Sequence, residues 1–132
     1  MKALFLSLLA LGQDPSSDVD SFVKQGAYLE ALAAAEGAED PLRSLLVTWA
    51  RHHAGDLHGA LAEASVGLKS WPEHGGLLEQ AAWLSASLHR GAESMEYAQR
   101  LKQLGHPSAS AFISDAEEIL AVADEVSAAR ER

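Results

Sequence analysis

Histidine is the side chain in this sequence best suited to bind a metal, so the spacing of the histidines decides whether to expect a metal site. A helical zinc site needs two histidines three or four positions apart, with an acid nearby. Of the six histidines, His52, His53 and His58 are separated by one and five positions, and Gly55 interrupts them. The other three lie far apart, near turn-forming residues: His74, His89 and His106. The spacing therefore predicts no metal site and favours histidines at helix ends.

Adjacent acids are the second group that could do chemistry. A glycosidase needs two carboxylates that face each other across a cleft. Adjacent pairs here include Glu39-Asp40, at a predicted helix end, and Glu117-Glu118, on a polar helix face. The sequence also contains no glycine-rich phosphate loop, nucleophile elbow or dinucleotide fingerprint. We therefore expect a protein that is not an enzyme and that carries no cofactor.

The composition limits the class of partner. The 132 residues include 10 basic and 19 acidic side chains, which gives a net charge of −9. We expect no nucleic-acid partner, because phosphate binding relies on clustered Lys and Arg. Cysteine is absent, which excludes disulfide scaffolds, zinc ribbons, iron–sulfur clusters and thiol catalysis. Hydrophobic residues make up 48% and aromatic residues 6%, a balance that favours packed helices in one domain.

The elements that would position any site are all predicted to be helices. Apolar residues at helical spacing, separated by turns rich in Gly, Pro and Asp, place helices at residues 19–26, 27–40, 41–54, 56–70, 77–88, 92–104 and 110–130. The last helix keeps one apolar stripe: Phe112, Ala116, Ile119, Ala123 and Val126. No run alternates with period two, so no strand is predicted.

The N-terminal residues are a separate case. In MKALFLSLLALG, Lys2 follows the initial Met1, residues 3–11 form a run that is apolar except for Ser7, and the stretch ends in a small-x-small site. These are the parts of a secretory signal peptide, and the run is shorter than the ~20 residues of a membrane span. We expect residues 1–12 to be a signal peptide or a short apolar N-terminal helix, and residues 13–18 to be a linker. Export to the periplasm or cell envelope is favoured, with the cytoplasm as the alternative.

Parts of the chain recur at a spacing near 34 residues. The recurring pairs are Trp49 and Trp83 at 34, Pro72 and Pro107 at 35, and Gly55 and Gly91 at 36. The drift from 34 to 36 predicts one or two extra residues in the second copy. Residues 25–32 (QGAYLEAL) also match residues 54–61 (AGDLHGAL) at an offset of 29. Such a period is typical of helical repeat proteins.

The residues that follow Trp49 in the chain resemble the second helix of a tetratricopeptide repeat: Gly55-Asp56-Leu57, Ala60-Leu61, Ala64, Gly67-Leu68 and Pro72. The resemblance implies an all-α fold of antiparallel helix pairs, stacked as a short right-handed TPR-like solenoid. About three pairs would cover residues 19–107, and a C-terminal amphipathic capping helix would cover residues 108–132. Arg51 and Ser85 (or Ser87, if counted back from Gly91) depart from the pattern, because the family usually has a large apolar or aromatic residue there.

Proteins of this family bind a partner peptide or helix in a concave groove lined by the first helix of each pair. The resemblance places these residues in that groove: Leu45, Trp49, His52, His53, Glu79, Trp83 and Ser87. The Lys, Arg and Asn clamp of one subclass is absent there, so an apolar or basic partner segment is expected. Trp49 and Trp83 are equally compatible with core positions. Two alternatives stay open: a self-associating structural subunit, and a membrane-associated accessory protein held by an uncleaved N-terminal segment.

Overall fold

The computed structural model describes residues 14–131, and all regular structure in that range is helical, as the sequence predicts. Within this range, seven helices follow one another: α1 (Pro15–Lys24), α2 (Tyr28–Glu36), α3 (Leu42–His53), α4 (Leu57–Ser70), α5 (Gly75–Ser87), α6 (Gly91–Gln103) and α7 (Ala109–Glu131). The expected signal peptide over residues 1–12 lies outside the described residues.

Helix α1 begins earlier than predicted. Asp14 is its N-cap and accepts a hydrogen bond from the backbone N–H of Ser16 at 3.1 Å, and Pro15 occupies the first turn. Proline suits that turn because its φ is already helical and the missing N–H has no intrahelical partner there. The prediction of a linker over residues 13–18 is therefore wrong for residues 15–18, which belong to the helix.

Helix α5 also starts two residues before the predicted position. The N-cap is His74, whose Nδ1 accepts a hydrogen bond from the N–H of Leu77 at 3.1 Å. The two glycines that follow, Gly75 and Gly76, are consequently helical, although their composition predicts a turn. Gly76 also lines a groove on the surface of the protein.

Four of the described helices end in the same kind of turn. A residue at positive φ is followed by a residue whose backbone N–H donates to the carbonyl five positions earlier. After α3, Gly55 has φ +87°, and the N–H of Asp56 donates to the Arg51 carbonyl at 2.9 Å. The same bonds follow α1, α5 and α6, where the positive-φ residues are Gly26, His89 and Gly105. This arrangement is the Schellman motif, which satisfies carbonyl groups left open at a helix end.

The third of these turns corrects the predicted alignment of the repeats. The positive-φ residue after α5 is His89 at +57°, whereas Gly91 is the first residue of α6. Gly55 therefore corresponds to His89 at an offset of 34, the same offset that joins Trp49 to Trp83. The expected one or two extra residues before this turn are absent. The glycine pattern was misleading because a histidine takes the left-handed conformation here.

The helices pack mainly against their neighbours in the chain, but the odd-numbered ones also contact each other. Contacts join α1 to α3, α3 to α5 and α5 to α7. Among the described residues, no comparable contact joins α2 to α4 or α4 to α6. The odd-numbered helices thus form one continuous layer, and the even-numbered helices lie outside it.

Two apolar clusters hold the helices together. One spans α1 to α3 and includes Val19, Ala31 and Val47, while the other spans α4 to α7 and includes Leu61, Leu77 and Leu101. Small residues permit close contact between the elements: a Cβ on Gly67 of α4 would lie 3.0 Å from both Leu77 Cδ1 and Ser44 Cβ. The layer of odd-numbered helices is therefore held on its outer side by buried contacts to α2, α4 and α6.

Candidate functional site: a groove across the odd-numbered helices

A groove with a volume of about 330 Å³ crosses the layer of odd-numbered helices. Its lining comes from three helices: Ser16 and Asp20 of α1, Leu45, Leu46 and Trp49 of α3, and Gly76, Glu79 and Gln80 of α5. Because α1, α3 and α5 are adjacent in the layer, each adds one strip of the wall. We refer to this set of eight residues as the groove.

The floor of the groove is apolar and lies between the two core clusters. Leu46 is buried in the α1–α3 cluster, against which Trp49 packs, while Leu45 packs against the α4–α7 cluster. Gly76 brings the α5 backbone close to this floor, since a Cβ there would lie 3.2 Å from Leu45 Cδ2. A larger residue at position 76 would therefore push against the groove floor.

The rim of the groove carries two acids, and both already have partners on the protein. Asp20 Oδ2 forms a 2.8 Å ion pair with Lys24 Nζ, whose side chain is 74% exposed. Glu79 Oε1 accepts a hydrogen bond from Ser108 Oγ at 2.9 Å and lies 2.9 Å from His106 Nε2. Ser108 Oγ also lies 2.8 Å from His106 Nδ1, so the three side chains form one network. Glu79 is therefore fixed in place by the start of α7.

An aromatic cluster of Trp49, His52, His53 and Trp83 adjoins the groove. The rings of His52 and Trp83 lie 4.2 Å apart, and those of His52 and His53 stack at 4.8 Å. Trp49 meets His53 edge to face at 4.7 Å. The cluster joins α3 to α5, and it leaves Trp83 41% exposed. An exposed tryptophan beside an apolar groove is the kind of surface that partners contact in protein interfaces.

The pKa of His52 in this cluster departs from its ordinary value. Burial lowers the pKa of His52, the neighbouring His53 lowers it further, and the Gln80 side chain acts in the opposite direction. The neutral imidazole is thus favoured over the charged one. At neutral pH His52 therefore presents an uncharged ring at this end of the groove.

The groove brings together three of the seven residues that the resemblance implies: Leu45, Trp49 and Glu79. His52, His53 and Trp83 lie beside it in the aromatic cluster, and Ser87 lies at the end of α5 and lines neither. The two tryptophans, which the sequence leaves open between groove and core positions, differ in their surroundings. Trp49 packs on the core and also lines the groove, whereas Trp83 is exposed.

Sequence reasoning missed the contribution of α1. Ser16 lies in the predicted linker over residues 13–18, and Asp20 is not among the groove residues that the resemblance implies. The match of residues 25–32 to residues 54–61 was the available signal. It aligns the turn after α1 with the turn after α3, and so places α1 in the same layer.

Within residues 14–131, no group of three or more His, Asp or Glu side chains is arranged to hold a metal ion. Over that range, no helix has the length and hydropathy to cross a bilayer.

The chain was also compared with known proteins. No family model, no curated protein and no solved structure matches it. The assignment of a function therefore depends on the geometry of the groove and of the helices that form it.

Proposed function

We propose that this chain is a protein–protein interaction module that holds a partner segment in the groove. The observation that carries the proposal is that three successive odd-numbered helices contribute to one cavity with an apolar floor. Its volume of about 330 Å³ is at the lower end of the range of ligand pockets, ~300–1,000 Å³. The groove is therefore suited to one or two large anchor side chains of a longer segment.

The same proposal gives the chain the architecture of a short right-handed TPR-like solenoid. Three observations support it: the layer of odd-numbered helices, the Schellman turn repeated at an offset of 34, and the close approach at Gly67. In such a solenoid the first helix of each pair lines the concave side, and the second lies outside. Helices α1, α3 and α5 are then the first members of three pairs, and α7 closes the array.

The partner segment in this proposal carries an apolar anchor next to a basic residue. The floor of Leu45, Leu46 and Trp49 suits a Leu, Met or Phe side chain. A lysine or arginine beside it would meet Asp20, whose present partner Lys24 is held only by an exposed ion pair. Such pairs contribute little, so an incoming cation can replace Lys24 at little cost. The net charge of −9 attracts a basic segment over a longer range.

A peptide-display selection against the purified protein tests the proposal. We expect the selected peptides to combine a large apolar residue with Lys or Arg, and to bind in a fluorescence polarisation assay. Replacing Ser16 by Arg adds bulk and positive charge to the groove wall and should weaken binding at least tenfold. Ser17→Arg is the matched control, because Ser17 is exposed on the same turn and does not line the groove.

Two results would contradict the proposal. One is the absence of any selected peptide that binds the wild-type protein in solution. The other is equal weakening by Ser16→Arg and Ser17→Arg, which would place the binding surface elsewhere on the chain. Circular dichroism of both variants should match the wild type, since neither serine belongs to an apolar core cluster.

A further inference from the structure

Two buried polar atoms beside the groove have no hydrogen-bond partner among the described residues. They are Oε1 of Gln80, which lines the groove from α5, and Nδ1 of His52, which belongs to the aromatic cluster on α3. A buried polar atom without a partner costs free energy, because it has given up its bonds to water. Proteins pair nearly all such atoms, so this exception beside a candidate binding site needs a physical reason.

The two side chains do not satisfy each other. Gln80 is close enough to His52 to oppose the lowering of its pKa, yet Oε1 of Gln80 and Nδ1 of His52 form no hydrogen bond. Both atoms are buried within the layer of odd-numbered helices, which contributes the walls of the groove. A further group with a donor or an acceptor is therefore needed to pair them.

The surroundings of Gln80 leave the groove as the side from which such a group can approach. The α5 residues one position or one turn away are apolar and fully buried, and they offer no side-chain donor: Leu77, Ala81 and Leu84. On the other side, Gln80 borders the open volume of about 330 Å³. The last torsion of a glutamine side chain is soft, so the terminal amide can turn towards a group in the groove.

The conformation of a bound segment decides whether it can supply the missing bond. In an α-helix, the backbone N–H and C=O groups bond to each other along most of its length. In an extended segment the same groups are free, and such main-chain bonds give affinity when extended peptides are recognised. A side-chain amide has both a donor and an acceptor, so Gln80 can pair with the N–H and the C=O of an extended chain. An extended segment thus fits this wall better than a helix.

The charges give the two walls of the groove different roles. Asp20 on the α1 wall holds Lys24 only through an exposed ion pair, so it can receive a basic residue of the partner. Glu79 on the α5 wall is already engaged with the start of α7. The α5 wall then contacts the segment through Gln80, and the apolar floor between the walls takes the anchor side chain. The net charge of −9 complements a basic segment.

We infer that the groove binds its partner as an extended peptide, whose backbone bonds to the side-chain amide of Gln80 while a basic residue meets Asp20. The inference rests on the proposed function and adds to it the conformation of the partner and the residue that recognises this conformation. Because the bond is to the backbone, Gln80 selects an extended chain and not a particular side chain.

N-methyl scanning tests the inference. The probe is a fluorescein-labelled peptide from the display selection, resynthesised with one backbone N–H at a time replaced by N–CH₃. In fluorescence polarisation, one methylation should weaken binding to the wild-type protein about tenfold, the effect of one lost hydrogen bond to a buried group. Gln80→Leu should weaken binding of the unmethylated peptide to the same extent, and that methylation should then have no further effect.

Two variants serve as controls for the amide. Gln80→Glu keeps an oxygen acceptor at the same place and should bind the peptide at least as tightly as the wild type. Gln99→Leu removes an exposed amide on α6 and should leave binding unchanged. Equal loss of affinity on methylation in the wild type and in Gln80→Leu would overturn the inference, because the methylated N–H would then not bond to Gln80.

The stability of the free protein gives a second readout. Gln80→Leu removes an unpaired buried oxygen, so it should raise the Tm in the absence of peptide. A lower Tm would overturn the inference, since it would show that the amide is already paired in the free chain. If either result appears while Ser16→Arg still weakens peptide binding, the proposed function stands without this inference. The absence of any binding peptide would overturn both.

Discussion

The imidazole of His52 lies over the indole of Trp83, with 4.2 Å between the ring centroids and 31° between the ring planes. The two residues come from α3 and α5, so the contact fixes these helices relative to each other beside the groove. Because His52 can gain a proton, the contact between the two helices also depends on pH.

We predict that the free energy of unfolding falls when the pH drops below about 6.5. Burial, and then the nearby His53, hold the pKa of His52 below its ordinary value. The unfolded chain therefore binds a proton at higher pH than the folded chain. The loss of stability is complete once the pH is below the pKa of His52 in the folded chain. Urea denaturation at pH 8, 6.5 and 5 measures the change, and His52→Phe should reduce the slope while keeping the stacking.

An equal slope in wild-type protein and in His52→Phe would show that other groups cause the dependence.

Asp56 should stabilise α4 through its cap more than through its charge. Its Oδ1 accepts a 2.9 Å hydrogen bond from the N–H of Gly59, and Oδ2 lies 3.1 Å from Arg51 Nη1. The Gly59 bond, and then Arg51, lower the pKa of Asp56, so the contribution of the charge is lost only in strong acid. We expect Asp56→Ala to lower the Tm by a few degrees and Asp56→Asn to lower it less, since Asn also caps helices. Equal losses would contradict this.

His89→Gly should stabilise the protein by about 0.5–1 kcal/mol. The φ of His89 is +57°, a region that costs energy for residues with a Cβ and none for glycine. His89 is exposed, so the substitution removes little packing. The matched change is Gly55→Ala in the corresponding turn, where φ is +87°, and it should destabilise to a similar extent. Thermal unfolding of the two variants measures both effects.

Two fully buried serines should respond in opposite ways to alanine. Ser94 Oγ of α6 donates a hydrogen bond to the Ala82 carbonyl of α5 at 3.1 Å, whereas Ser85 Oγ has no partner among the described residues. Ser85→Ala should therefore stabilise the protein by about 1 kcal/mol, and Ser94→Ala should destabilise it by a similar amount. Both changes gain the same helix propensity, so their difference isolates the hydroxyl groups. A shift in the same direction for both would contradict the assignment.

Most of the helix positions could be predicted from the sequence, because the apolar spacing of a helix and the Gly and Pro residues of the turns can be read from short stretches of the chain. The errors lie where a capping side chain starts a helix at residues whose composition predicts a linker or a turn. His74 capped α5 and made Gly75 helical, and Asp14 did the same for Pro15 of α1. Such caps depend on one hydrogen bond, which composition alone does not reveal.

The groove could be predicted only in part. Leu45, Trp49 and Glu79 line the groove and are among the residues that the resemblance to the tetratricopeptide repeat implies. The network that holds Glu79 depends on Ser108 and His106, which are distant in the sequence and reach α5 only through packing. The placement of Asp20 required knowing that α1 belongs to the same layer as α3.

The contact pattern of the odd-numbered helices has a consequence for folding kinetics. Among the described residues, each helix packs mainly on the next one or the next but one, so most tertiary contacts join helices that are neighbours along the chain. Such a low contact order is typical of domains that fold within microseconds to milliseconds. During synthesis, the pair α1–α2 can begin to pack before α5 leaves the ribosome. The groove is then assembled one wall at a time, in the order in which its helices are translated.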